Sequence, residues 1–557
     1  MDRRDFLTAR RRKSKIEQVI APEQTFRTNS GINTYTGAWT EQEIVHLLKR
    51  TMFGATKADI NYFKTRSMSQ TVDELLNPTA PNPTPPVKEY TTTTQPGTPD
   101  GNIAQGNTWV NDINNDGTVN SQRRASYKKW FTGNLINQDR SIREKLVMLM
   151  IDHFGNEASE VGNAIWTYRQ QDLIRQNILG NYKSLITNIS KDISMLRYLN
   201  GYLNQASAPD ENYARELMEL FTLGKGPGSQ YSESDVKEAA KVLTGWQVNT
   251  TTYTTTFNSN RHSSANKTFS TFFSGTVITG RTGATAGDLE LNDLVNMIFA
   301  QQEVAKYIVR KFYRWFVYYA IDSATETNVI APLADIFRTN NYELKPMLSA
   351  LFKSEHFFDM LNRGCMIKNP ADHVIGSLRE MNTAFPPVSD WDKSYGLWNT
   401  FYSWMVNTGQ NLHDPPNVSG MPAYYQEPSF HEIWINSDSL PKRNQFTDIM
   451  INTGYTRGGF RVQFNCVAFA QTLNNPGNPN DLIDETLKIL FRNDLSAQSK
   501  SQIKTQILLT GQIYDYYWTN AWAAYVSSPT TANFNTINTR LKSLFQYFLN
   551  LSEYQLA

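Results

Sequence analysis

Val236, Ala239, Ala240 and Leu243 repeat the i, i+3, i+4, i+7 spacing of one helix face. Ser232 opens that helix with Asp235 at the third position, and Gly245 stops it. The same signature recurs along most of the 557 residues, which leaves a mainly α fold, a large multi-helical body, as the class that fits. Thr40 and Glu43 form a capping pair ahead of the stripe Ile44, Leu47, Leu48 and Met52, which Gly54 ends. Arg143 to Phe154 is apolar nearly all round and is predicted to be a buried helix. Further helices are predicted near 56–66, 69–76, 162–180, 182–199, 210–223, 289–362, 369–384, 391–406, 440–453, 480–491, 495–510 and 531–551.

Two polar segments interrupt the pattern. Residues from Asn77 to about 120 are rich in Pro, then in Thr, Gly and Asn, and are expected to form a linker or surface excursion. Residues 247–288 mix Thr, Ser, Asn and Gly with Phe and Tyr, which suits short strands or an ordered excursion. The expected organisation is a basic, disordered tail over 1–38 and a single large helical domain over 39–557 carrying both insertions. Seven of the 54 Lys and Arg residues fall within the first fifteen positions, so the body is close to neutral. A nucleic-acid groove needs many phosphate-neutralising cations, and no nucleic-acid partner is expected. No apolar run reaches the length of a transmembrane helix. Cys365 and Cys466 could form at most one bridge, which excludes a disulfide scaffold. Arg3-Arg4-Asp5-Phe6-Leu7 resembles a twin-arginine export signal, yet Arg10 to Lys13 stand where its apolar run belongs.

Longer blocks carry a resemblance. They are Glu211-Asn212-Tyr213-Ala214-Arg215-Glu216-Leu217-Met218-Glu219-Leu220-Phe221-Thr222-Leu223-Gly224, His46-Leu47-Leu48-Lys49-Arg50 with Phe53-Gly54-Ala55-Thr56, His153-Phe154, and Pro415-Pro416-Asn417-Val418-Ser419-Gly420. Together they closely resemble the bacterial domain of unknown function 1800, from about residue 40 to beyond 450. The resemblance implies a helical bacterial protein with no established reaction. Genes of that family neighbour those of another domain of unknown function, 1501, which is similar to the alkaline phosphatase and sulfatase superfamily. That implies a phosphatase- or sulfatase-like partner and a periplasmic or extracellular pathway on polysaccharide or other surface material; with the export signal incomplete, a cytoplasmic location is the alternative. The chain departs from the family pattern at His262-Ser263, before Lys267-Thr268-Phe269, and at Met421 after Gly420.

Several constellations could carry chemistry. Asn212, Glu216 and Glu219 share one stripe at 100° per residue. Paired carboxylates one turn apart suit acid/base work, or equally a solvated face paired with neighbouring cations. Glu216 is expected toward the interior and Glu219 at its polar edge. His153 lies on a predicted buried face and needs a partner, for which Glu216 is the candidate. Glu216, Glu219 and His153 are therefore the candidate catalytic set. His262 and Lys267, in the Thr-rich insertion, are expected to be exposed and suit an anionic or sugar ligand. His413, Asn417 and Trp434, in a Pro/Asn/Gly-rich loop, suit carbohydrate stacking or a stiff cover over the core. Asp112, Asn114 and Asp116 occupy positions 1, 3 and 5 of half a calcium loop, but Arg123 stands where the twelfth, acidic ligand belongs. Weak calcium binding or a plain polar turn are the two readings, and no other metal or cofactor is predicted. No Gly-x-Ser-x-Gly elbow, His-Glu-x-x-His helix or Walker loop occurs. Two functional classes remain: a binding or assembly partner, and a hydrolase or lyase acting on glycans or other surface material.

Overall fold

The computed structural model describes residues 28, 30–91, 100, 101, 103–421 and 431–557. The capping signals set the first elements. Thr40 and Glu43 form a reciprocal capping box on α1 (Glu41–Thr51), whose Ile44, Val45, Leu47 and Leu48 are fully buried. Asp116 caps α2 (Gly117–Ile136), so that helix begins inside the segment expected to be an excursion. α3 (Arg143–His153) is buried as its all-round apolarity requires. α4 (Ala164–Asn177) packs on α2 and α3.

The single helix expected at 182–199 is two: α5 (Tyr182–Ile189) and α6 (Ile193–Tyr198). The break has a local cause, because the Asp192 carboxylate accepts the Met195 N–H (2.9 Å) and starts a new helix. α7 (Asn212–Glu219) and α8 (Glu233–Val242) follow. Between them Gly224 adopts φ +77°, and a Cβ there would lie 2.5 Å from the Tyr307 ring, so the glycine-rich segment ends a helix against an aromatic face.

The 247–288 insertion holds two antiparallel ribbons, as expected. They are β1 (Trp246–Asn249) with β2 (Thr254–Phe257), and β3 (Lys267–Thr268) with β4 (Val277–Ile278). α9 (Ala286–Phe299) and α10 (Gln302–Phe316) return the chain to the helical body. α11 (Pro370–Glu380), α12 (Trp391–Asn407) and α13 (Ser439–Asn452) continue it. α12 packs along α2, where Gly133 lets Trp398 lie against the backbone; a Cβ there would meet the indole at 2.6 Å. A third ribbon, β5 (Tyr455–Arg457) with β6 (Phe460–Val462), turns through Gly458 and Gly459, both at positive φ. Near the C-terminus α14 (Tyr516–Ser527) packs on α15 (Thr531–Asn550), which packs on α13. Among the described residues the three ribbons are the only sheets, and the protein is mainly α.

One cluster of touching buried side chains runs from Ile44 to Tyr554. Backbone and side-chain bonds of great sequence separation close it. Lys49 Nζ donates to the Leu490 carbonyl (2.8 Å), Arg492 to the Gln42 carbonyl (3.3 Å), and the Lys368 N–H to the Gln555 carbonyl (2.8 Å).

Two expectations about the polar segments change. The 77–120 region is not a free excursion over its described residues. Trp109 is fully buried, its indole N–H reaches Ser126 of α2 (3.4 Å), and Lys88 donates to the Asp100 carbonyl (2.7 Å). One large aromatic and the buried Arg123–Asp100 ion pair order a stretch whose mean composition predicts otherwise. The tail is also shorter than 1–38, because the Tyr35 N–H bonds to the Lys353 carbonyl (2.8 Å) and Thr34 bridges to Ser354. The basic run at 3–15 lies outside the described residues. Cys365 and Cys466 are both free thiols.

Candidate functional site

The loop 413–421 carries the Pro415-Pro416-Asn417-Val418-Ser419-Gly420 motif and lies over the C-terminal end of α3. Gly420 has φ +87°, and a Cβ on it would meet the Asp152 carbonyl at 2.5 Å. The next amide, Met421 N–H, donates to Asp152 Oδ1 (2.8 Å). Asp152 is half-buried at the end of a helix, and burial pushes its carboxyl up to about 7 despite that bond and the nearby Lys311 charge.

Beside it, His153 Nε2 lies 2.7 Å from the Tyr182 hydroxyl. Tyr182 spends its single proton on the Phe221 carbonyl (2.7 Å). Nε2 must therefore carry the imidazole hydrogen, and Nδ1 accepts from Lys311 Nζ at 3.1 Å. Burial, with the Lys311 charge, holds His153 well below its ordinary pKa, as a neutral imidazole. Lys311, half-buried on α10, is itself brought down to about 8 by burial, with Asp152 opposing and Arg314 adding to the shift.

Of the candidate catalytic set, the structure brings His153 near α7 but not onto its carboxylates. The His153 ring packs on Phe221 (5.8 Å between centroids), and its polar partners are Tyr182 and Lys311 rather than Glu216. The reason is direction: the last turn of α3 faces α5 and α10. Glu216 and Glu219 are both half-buried, so the expected inside–edge division does not hold. Glu219 pairs with Lys225 (2.6 Å). The Glu216 carboxylate makes no hydrogen bond among the described residues, and burial reinforced by the Glu219 charge raises it to about 7. Asn212 is exposed and donates to the Leu199 carbonyl (3.3 Å).

The expected exposed pair in the insertion is buried instead. Lys267 is wholly inaccessible and bonds Glu290 Oε2 (2.5 Å) and the Ser263 carbonyl (2.5 Å). His262 lies with Nε2 3.1 Å from Glu290 Oε1 and Nδ1 2.9 Å from the Thr244 carbonyl. Glu290 also accepts the Arg281 N–H (2.7 Å). These bonds hold it below the usual carboxylate range against the cost of burial. The triad fastens the ribbons to α9, so composition misread a packed seam as loop polarity. His413 is likewise a core residue, with its ring edge-on to Tyr127 and Phe131 and Nδ1 3.0 Å from the Tyr127 hydroxyl.

Asn417 shapes the loop by accepting the Ser419 N–H (2.9 Å). Trp434 is buried against Met421 rather than displayed. Together with Ile433, Val406 and Pro416 these two side chains wall a cleft of about 500 Å3. Its polar rim includes Asn407, Asn411, Asn436, Thr408, Asp414 and Asp438, with no lysine or arginine in its walls among the described residues.

In the half calcium loop, the Arg123 guanidinium lies on Asp112 (2.5 Å) and on fully buried Asp100 (2.6 Å). Asp116 spends a carboxylate oxygen on the helix cap, and Asn114 accepts the Asp116 N–H (2.9 Å). Among the described residues no group of three His, Cys, Asp or Glu side chains could hold a metal ion, and no helix is long and apolar enough to cross a membrane.

Sequence reasoning missed Asp152 and Lys311. Asp152 had a signal, as the charged residue beside His153 at the end of an apolar helix. Lys311 had none, because Arg310 and Lys311 read as the polar face of α10.

The fold and this loop-covered helix end define a mainly α protein with a half-buried acid, a buried imidazole and a half-buried amine near a double-proline loop that also lines an open cleft. The family model for DUF1800, described as a protein of unknown function, matches residues 46–556, and the chain belongs to that family. No curated protein and no solved structure matches the chain.

Proposed function

We propose that the chain is a binding protein and that the cleft beneath the double-proline loop holds a neutral, hydroxyl-rich ligand of the glycan class. The observation that carries this reading is the cleft's wall chemistry. Apolar surface, chiefly exposed Ile433 with the edges of buried Trp434 and Met421, faces the ring of amides and hydroxyls around it. A sugar presents the same division between its C–H face and its hydroxyl edge. Asn407 is exposed and its side chain has no partner among the described residues, so its amide is available. Asp414 and Asp438 are each paired with a lysine, Lys128 and Lys442, and no cation lines the cleft among the described residues to recruit a sulfated or phosphorylated ligand.

The test is calorimetric titration with neutral oligosaccharides and with their sulfated counterparts. The expected outcome is binding of a neutral glycan, roughly tenfold or more weakened by sulfation, about 1.4 kcal/mol or more. Asn407→Ala should weaken binding while leaving the melt unchanged. Absence of neutral-glycan binding, or an Asn407→Ala variant that binds as well as the parent, overturns it.

A phosphatase- or sulfatase-like partner in an extracytoplasmic pathway, which the family resemblance implies, fits a binding role. Co-purification from the native host tests it, and repeated failure to recover such a protein counts against it. The hydrolase reading keeps one favouring observation: Asp152 and Glu216 are half-buried carboxyls raised to about 7, where acid/base work at neutral pH is served. Glycan cleavage lost in Glu216→Gln with folding intact would favour that second reading.

A further inference from the structure

Several buried lysines in this protein are neutralised by carboxylates. Lys49 pairs with Glu380 (2.6 Å), Lys145 with Asp372, and Lys267 with Glu290 (2.5 Å). Lys368 lacks a carboxylate, and it is sealed from solvent with Nζ 3.7 Å from the centre of the Tyr554 ring. Lys311 forms no ion pair among the described residues, and it is only half-buried. Its nitrogen meets His153 Nδ1 at 3.1 Å and stands over the Tyr307 ring at 5.3 Å. The protons on Tyr182 and His153 are already assigned, so Nδ1 offers a lone pair and no charge. An amine that faces a neutral acceptor keeps that hydrogen bond whether or not it carries its extra proton. A salt-bridged ammonium loses its partner's attraction on deprotonation. The geometry around Lys311 therefore tolerates the free amine, the form that attacks carbonyl carbon.

We propose that Lys311 is a nucleophilic amine that captures an aldehyde or ketone as a Schiff base, with Asp152 supplying the proton that expels water. Lys311, His153 and Asp152 are not among the residues lining the cleft, so the site does not rest on glycan binding there. The steps balance without any oxidant or reductant. The Lys311 nitrogen lone pair forms the C–N bond as the carbonyl π bond breaks onto oxygen. His153 Nδ1 relays a proton from the new ammonium to that oxygen. The resulting hydroxyl takes the Asp152 carboxyl proton, the C–O bond breaks, and water leaves. The product is a protonated imine with the Asp152 carboxylate as its counter-charge.

The charged groups facing Lys311 agree with this role. Asp152 comes from the end of α3 and Arg314 from the next turn of α10, and the Arg314 charge disfavours the ammonium. A lysine lowered from the ordinary value to about 8 holds on the order of 100-fold more free amine at pH 7 than an exposed one.

The experiment treats the full chain with propanal and sodium cyanoborohydride at pH 7, quenches at short times, and maps propylation by peptide mass spectrometry. Lys311 should be trapped about tenfold or more faster than the more exposed Lys225 and Lys442, while sealed Lys368 stays unmodified. Its rate should level off above about pH 8 while those of Lys225 and Lys442 keep rising. Trapping of Lys311 no faster than Lys225 overturns the proposal, whether the cause is protonation or lack of access. Asp152→Asn should slow trapping at Lys311 several-fold and leave the other lysines unaffected. An unchanged rate in that variant removes Asp152 from the mechanism.

Discussion

Two clusters in this molecule use the same residue types to opposite ends. In the insertion, Lys267, His262 and Glu290 meet with the carboxylate in the middle, accepting from the lysine, from the Arg281 amide and facing the imidazole. Near the double-proline loop, Lys311 meets the His153 imidazole, while the Asp152 carboxyl makes no ion pair with that amine and is turned to the Met421 amide. Where the carboxylate bridges, charge is cancelled and Glu290 is held below the usual carboxylate range. Where the amine meets a neutral ring and the acid a backbone amide, the acid drifts up and the amine down until both sit near neutrality. Position within the triad, not composition, separates a fastening from a reactive site.

The largest effect should come from breaking the fastening. Lys267→Met leaves Glu290 buried with one cation fewer, and a loss of about 3–5 kcal/mol is expected in denaturant unfolding, the range for a broken buried pair. A loss under about 1 kcal/mol would show that the seam does not depend on that pair.

Asp152→Asn should act in the other direction and depend on pH. The folded carboxyl titrates near 7, above its unfolded value, so its protonated form is favoured by folding. Its contribution is intact below about pH 4 and is lost as pH rises to 7. Asparagine does not ionise. The variant should therefore gain about 1–2 kcal/mol on the parent between pH 5 and pH 8, a figure reduced because the group is half exposed. Equal pH profiles for parent and variant would place the carboxyl in ordinary solvent.

The smallest effect is expected from Lys311→Met. It removes a donor from His153 Nδ1 and also removes a poorly solvated amine, and the two should leave stability within about 1 kcal/mol of the parent. A collapse comparable to that of Lys267→Met would make the second cluster structural after all, and would erase the contrast.

Much of the fold was legible because periodicity and caps report burial directly. The α1 capping box, the all-round apolar α3 and the Ser232–Gly245 helix follow from residue spacing alone. The split at Asp192 and the early start of α2 at Asp116 turn on single capping carboxylates that a stripe does not register. The β5–β6 ribbon had a local signal in Gly458-Gly459, and α14 had none, being aromatic on most sides with few buried positions. The candidate site was legible only in part. His153 could be placed on a buried face, but its partners lie 29 and 158 residues away, and one-dimensional spacing carries no information at that range. His262 and Lys267 were misplaced for the same reason, since Glu290 lies beyond the polar segment that seemed to isolate them.

The bond from Lys49 to the Leu490 carbonyl spans 441 residues, and its consequence concerns time rather than stability. A ribosome adding roughly 5–20 residues each second needs about 20–90 s to travel from one partner to the other. Throughout that interval the apolar stripe of α1 has been made and its cover has not. The nascent chain thus passes a long adolescence with an open greasy face, dependent on holding factors or on slow, late collapse, and its first helix is among the last parts of the protein to be finished.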